Sequence, residues 1–139
     1  MSKGKLIVFS GPPCSGKSTL AERLSRELKS AHLQMDEIRT RLIPDSDHRE
    51  EHRRIAYKAM HLAAELLLEH DRDVIVDATY RQRRHREELE QIAKRVESPL
   101  FLIQCVISQE VAALRFSQRG ERHPAVDLNE RRVAQLASA

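Results

Sequence analysis

Gly11, Gly16, Lys17 and Ser18 stand at the spacing G-x-x-x-x-G-K-S within the stretch GPPCSGKST. Two of the chain's four glycines fall in these six positions, beside a lysine and two hydroxyls. Such a combination suits one task. Backbone N–H groups can curl around phosphate oxygens only where side chains neither obstruct nor strain the turn. A helix starting at the lysine adds free N–H groups and the positive end of its dipole. Gly11, Pro12, Pro13, Cys14, Ser15, Gly16, Lys17, Ser18 and Thr19 therefore read as a phosphate-binding loop. Lys17 would reach the β- and γ-phosphates of a nucleotide, and the Ser18 hydroxyl would ligate Mg2+.

Two carboxylates carry the next chemistry. Asp36 and Arg39 occur in MDEIR, just after a short strand-like segment. An aspartate facing a bound nucleotide can orient an attacking hydroxyl and accept its proton. An arginine one helical turn later can grip a polar or anionic substrate; the bland alternative is a helix cap with a solvated arginine. Asp77 closes the hydrophobic run DVIVDAT, where it can hold Mg2+ directly or through water, or else cap the next helix. Thr79 and Tyr80 follow it and are candidates to line the same site. Further on, Arg115, Arg119 and Arg122 flank a polar connector and suit a lid that excludes water and steadies phosphoryl charge, with Arg119 the best placed.

Two other clusters are weaker. RQRRHR at 81–86 resembles a nucleic-acid patch, but EELE follows and offsets its charge, which favours a solvated helix face. HREEH at 48–52 has metalloprotease spacing but no evident third ligand, so zinc is set aside.

The elements that must position these groups alternate. Residues 5–10 form an apolar run stopped by Gly-Pro-Pro, hence a buried strand. Leu20, Ala21, Leu24 and Leu28 then recur at helical spacing. A short strand at 32–35 and a helix at 36–42 follow, the helix ending before Pro44. Ser46 or Asp47 is the expected cap of a long helix whose inner face carries Ile55, Ala56, Ala59, Leu62, Ala63, Leu66 and Leu67. A strand at 73–79, a helix at 82–96 with Leu89, Ile92, Ala93 and Val96 inward, and a buried strand at 100–107 come next. Ser108 is expected to cap a helix ending near Gly120, and a last helix is expected over about 129–137. Alternating strands and helices imply an α/β fold with a parallel sheet, whose carboxyl edge gathers the phosphate loop, Asp36 and Asp77.

The totals agree. At 139 residues the chain is expected to be one domain, and 40% hydrophobic with 32% charged residues suits a globular protein. No run is long and apolar enough for a membrane span or a signal peptide, so a cytoplasmic place with no membrane partner is expected. Two cysteines without metal spacing read as reduced thiols. A charge of +3 suits an anionic ligand, whereas 4% aromatics and no tryptophan argue against a base-stacking platform.

With these residues in place, the chain resembles a group of small P-loop kinases. It includes polynucleotide 5′-hydroxyl kinases, gluconate kinases, chloramphenicol phosphotransferase and zeta toxins. The resemblance spans most of residues 4–127 and rests on LIVFSGPPCSGKSTLAERL, LQMDEIR, DVIVDATY and VAALRFSQRG. It implies a three-layer P-loop NTPase fold with about four strands in the order 2-3-1-4, and an arginine-bearing lid to which Arg115 and Arg119 belong. It further implies ATP and Mg2+ as cofactors, Asp36 as general base and Arg39 as an acceptor-binding arginine. The implied activity is transfer of the γ-phosphoryl group to a hydroxyl. The candidate acceptors are a polynucleotide 5′ end, a sugar acid, an antibiotic and a nucleotide sugar; a nucleotide-binding module without an acceptor is the alternative. Family members usually continue past the lid into a further strand, so a domain minimal or cut at its C-terminus is expected.

Overall fold

A computed structural model describes residues 4–13, 15–47, 49–106, 110–111 and 114. Strand β1 (Leu6–Ser10) leads into helix α1 (Lys17–Leu28), then β2 (Ala31–Gln34), α2 (Met35–Leu42), α3 (Glu50–Glu69), β3 (Val74–Ala78), α4 (Arg83–Arg95) and β4 (Leu100–Gln104). The sheet is parallel throughout, in the order β2-β3-β1-β4. The arginines expected in a lid (Arg115, Arg119 and Arg122), the expected Ser108 cap, the expected final helix and Cys14 lie outside the described residues.

Strand alternation sorts the central side chains onto two faces. Ile7, Phe9 and Ile75 pack with Ala21 and Leu24 of α1. Leu6, Val8, Val74 and Val76 meet Ala56, Met60, Ala64 and Leu68 of α3 and Leu89 and Ala93 of α4. The two central strands are thus covered on both faces, with the apolar runs of β1 and β3 fully buried.

Three expectations need correction. The strand at 100–107 is not buried: among the described residues it is the edge strand β4, paired with β1 alone, and Phe101 is 50% exposed. The inner face of α3 is rotated from the apolar reading. Ala56, Tyr57, Met60, His61, Ala64 and Leu68 are buried, while Ile55, Leu62 and Leu66 are exposed. Neither Ser46 nor Asp47 caps α3. The cap position is Arg49, with no side-chain capping bond; the Ser46 hydroxyl and the Asp47 carbonyl instead accept from the Arg39 guanidinium.

Tyr57 and His61 turn inward because they find polar partners there. His61 Nε2 lies 2.8 Å from the Tyr80 hydroxyl and Nδ1 lies 2.9 Å from Glu88 Oε1. The His85 ring stacks on Tyr57 at 4.0 Å and 9°. The Tyr80 backbone N–H donates to the Tyr57 hydroxyl at 3.0 Å. These contacts hold Tyr80 at φ 48, a left-handed conformation that a bulky residue adopts only under such constraint.

Burial depresses both histidines. His61 is pushed down by burial, against the pull of Glu88. His85 falls to about 4, through burial first and then the charge of Arg84. A histidine held neutral when folded binds protons more readily when unfolded, so stability is lost as pH falls from the ordinary histidine range towards 4. The melting temperature should therefore drop between pH ~6.5 and ~5. His85→Phe, which keeps a ring on Tyr57, should shrink that drop; an unchanged drop in a pH series of melting curves would assign it elsewhere.

Candidate active site

The phosphate loop begins where β1 ends. Gly11, at φ 154, is forced by its neighbours: a Cβ there would lie 2.6 Å from the Cys105 carbonyl oxygen. Gly16, at φ 89, occupies the cap of α1 in a left-handed conformation that admits glycine at little cost. Lys17 is then the first residue of α1. Its Nζ lies 3.7 Å from Asp77 Oδ1. Asp77 is 1% exposed and stands on β3 between Phe9 of β1 and Gln34 of β2 in the strand register. Two residues 60 positions apart in sequence (17 and 77) are thus joined by the sheet.

Asp77 has a second partner. His32 Nε2 lies 3.0 Å from Asp77 Oδ2, and His32 Nδ1 lies 3.0 Å from Glu22 Oε2 on α1. An imidazole can donate to two carboxylates at once only as imidazolium. Burial alone would lower the His32 pKa, but the hydrogen bonds to Asp77 and Glu22 outweigh it and raise the group. Glu22 is lowered in turn, chiefly by His32 and then by Arg26. Sequence reading passed over His32, because no local pattern marks a histidine that meets carboxylates on two other elements.

Gln34 was missed as well, although it lies inside LQMDEIR. Its Nε2 donates to the Ser18 hydroxyl at 2.8 Å, fixing that oxygen with acceptor capacity to spare. Asp36 sits on the first turn of α2, directly after β2. It is half-buried, and Oδ1 lies 3.6 Å from an Arg39 nitrogen. Arg39 itself is 2% exposed. Its guanidinium donates to Ser46 Oγ at 2.9 Å and to the Asp47 carbonyl at 3.0 Å, bracing the loop after α2. The solvated arginine of the bland reading is therefore not what the fold contains.

Thr79 follows β3. Its hydroxyl lies 3.4 Å from both the Tyr57 hydroxyl and an Arg53 nitrogen. Tyr57 is raised by burial first, against the hydrogen bonds it shares with Thr79 and Tyr80, with Asp36 adding slightly to the rise. Of the sequence candidates, Lys17 and Asp77 are brought together, as are Asp36 and Arg39. Thr79 instead joins Tyr57 and Arg53, which no motif announced.

The residues suit Mg2+. Asp77 Oδ1 is a buried oxygen with no hydrogen-bond donor, and the Ser18 hydroxyl is held in place beside the lysine. Among the described residues no group of three or more acidic, histidine or cysteine side chains forms a metal cage. That is the expected pattern for Mg2+, which shares its shell between a few protein oxygens, water and phosphates. Ser18 and Asp77 would hold it, and it would neutralise phosphate charge when bound.

The chain belongs to the AAA domain family, which matches residues 6–139. No curated protein matches it by sequence. Solved structures share the fold. A provisionally assigned kinase from Chloroflexus aurantiacus is 24% identical with a TM-score of 0.77, over 86% of this chain and 68% of that one. A chain of the Pnkp1/Rnl/Hen1 RNA repair complex is 21% identical at 0.75, over 99% of this chain and 46% of that one. The Mycobacterium tuberculosis APS kinase CysC, solved with AMPPNP and APS, is 24% identical at 0.68, over 86% and 69%. The protein thus has the P-loop kinase-like fold, with its four-stranded parallel sheet in the order 2-3-1-4. That fold implies a nucleotide at the loop.

A charged His32 stabilises the fold below the ordinary histidine pKa and loses that contribution as pH rises through its raised value. In buffer without Mg2+ or nucleotide, His32→Gln should lower the melting temperature by about 3 °C or more at pH ~6 and by less at pH ~8.5. An equal loss at both would mean that the imidazole is neutral in the fold.

Proposed function

We propose that this protein is an ATP-dependent kinase that transfers the γ-phosphoryl group to a hydroxyl acceptor. One observation carries the reading: a carboxylate, Asp36, follows β2, while the neighbouring strand β3 ends in the Lys17–Asp77 pair at the phosphate loop. A nucleotide switch needs the loop but has no use for a second, half-buried carboxylate on the acceptor side.

In this reading the loop N–H groups and Lys17 bind the β- and γ-phosphates, and Ser18 and Asp77 serve Mg2+. Asp36 orients the acceptor hydroxyl and takes its proton as the oxygen attacks phosphorus. The Arg39 guanidinium steadies Asp36 from behind, and Thr79, held by Tyr57 and Arg53, offers the acceptor a hydrogen bond. Phosphoryl transfer demands positioning and charge neutralisation more than covalent chemistry, so this set suffices. The APS kinase relative, solved with AMPPNP and APS, supports a nucleotide-plus-acceptor arrangement. The RNA repair relative supports a polynucleotide 5′-hydroxyl as one acceptor to test.

Labelled γ-phosphate transfer to 5′-hydroxyl oligonucleotides and small alcohols tests this directly. One acceptor class should become labelled. Asp36→Ala should cut transfer by about 100-fold or more while ATP binding persists. Lys17→Ala should lose transfer and weaken ATP binding. Release of free phosphate without any labelled acceptor would favour a nucleotide switch instead.

A further inference from the structure

The arginine-rich segment 81–86 divides in the fold. Arg83 Nε lies 3.2 Å from Glu87, and Arg84 pairs with Glu50, which also accepts from Gln82 at 2.9 Å. These groups belong to the surface. Arg86 differs: it is half-buried, and among the described residues no hydrogen bond or ion pair engages it. Together with Arg81 it lines a cavity of about 350 Å³. Gly11 and Pro12 of the phosphate loop, Thr79 after β3 and Gln104 at the end of β4 are among its other lining residues. Among the described residues that line it, none is acidic.

We propose that this cavity is an anion subsite of the acceptor, in which Arg86, flanked by Arg81, binds a phosphate or carboxylate group carried by the acceptor. The identity of the ligand as acceptor rests on the kinase reading; the anion site itself does not. Three observations converge. The α4 arginines outside the cavity are matched by glutamates, whereas Arg86 is not. The cavity volume falls at the low end of the ~300–1,000 Å³ typical of small-ligand sites. It is lined by Gly11 and Pro12 of the phosphate loop as well as by Thr79, so in the kinase reading a ligand held there would lie next to the phosphate loop. In the kinase reading the nucleotide's own phosphates go to the loop N–H groups and to Lys17, which does not line the cavity. A guanidinium in a partly closed cavity gains a charge-assisted, bidentate bond to an oxyanion, and a neutral polyol gains no equivalent. Thr79 and Gln104 supply hydrogen bonds to the uncharged remainder of the ligand.

The test fills the phosphate loop first. Protein saturated with Mg2+ and ADP is titrated calorimetrically with adenosine 3′-phosphate against adenosine, and with gluconate against glucose. At least one anion should bind about tenfold or more tightly than its neutral counterpart. Preference for the phosphate alone marks a nucleotide-like acceptor, and preference for gluconate alone marks a sugar acid; either supports the site. Arg86→Gln should reduce the preference to about threefold or less, with ADP affinity unchanged. Arg83→Gln, on the same helix, should keep it. No preference in the wild type, or a preference that survives Arg86→Gln, overturns the proposal. Loss of ADP affinity in Arg86→Gln also overturns it, because the arginine would then serve the nucleotide. An intact anion preference in a protein that transfers no phosphoryl group would leave the subsite standing and remove the kinase reading alone.

Discussion

The carboxylate of Asp77 is the constraint around which this domain is arranged. Placing a charge at 1% exposure costs several kcal/mol unless opposite charge arrives with it. Here it arrives from two directions, Lys17 Nζ at 3.7 Å and His32 Nε2 at 3.0 Å. Those partners belong to α1 and β2, while Asp77 belongs to β3. The requirement to compensate one buried charge therefore also locks the phosphate loop against the sheet. Glu22 extends the chain by holding the other nitrogen of His32 from α1.

The two faces of the sheet solve burial differently. Towards α1 the interior is plainly apolar, built from Ile7, Phe9, Ala21 and Ile75. Towards α3 and α4 it contains a polar network in which Tyr57, His61, Tyr80 and Glu88 satisfy one another. Such a network is costly when incomplete and specific when complete, because each donor accepts few alternative geometries. Its position explains its value. It ends at Thr79 and at the left-handed Tyr80, so it sets one wall at the carboxyl edge of the sheet rather than merely filling space. Arg39 plays the same part on the other side, tying Asp36 to the loop after α2.

Charge along this edge is sorted in a way that bulk composition conceals. A formal +3 is modest for 139 residues. Yet Asp36 and Asp77 at the edge are held by cations, while the described residues of the cavity beside the loop include arginines and no carboxylate. The result is a local surplus of positive charge where anionic ligands would lie, without a broad basic surface.

Much was legible without coordinates. The spacing of Gly11, Gly16, Lys17 and Ser18 specified the phosphate loop, because that turn needs glycine where the backbone is left-handed or crowded. The apolar runs of β1 and β3 and the switch to helical periodicity after Lys17 specified the element order, since both patterns are short-range. Tertiary structure decided the rest. It turned Tyr57 and His61 inward and left Leu62 and Leu66 outside, a choice that depends on Tyr80 and Glu88 far along the chain. It moved 100–104 to an exposed edge, because a strand's neighbours are not written in its own residues. It gave His32 two carboxylates and separated Arg86 from Arg83 and Arg84, though all three arginines look alike in sequence. Local spacing determines what a segment can form; only packing across the sheet determines which polar groups are buried together, because their burial is tolerable only when the partners meet.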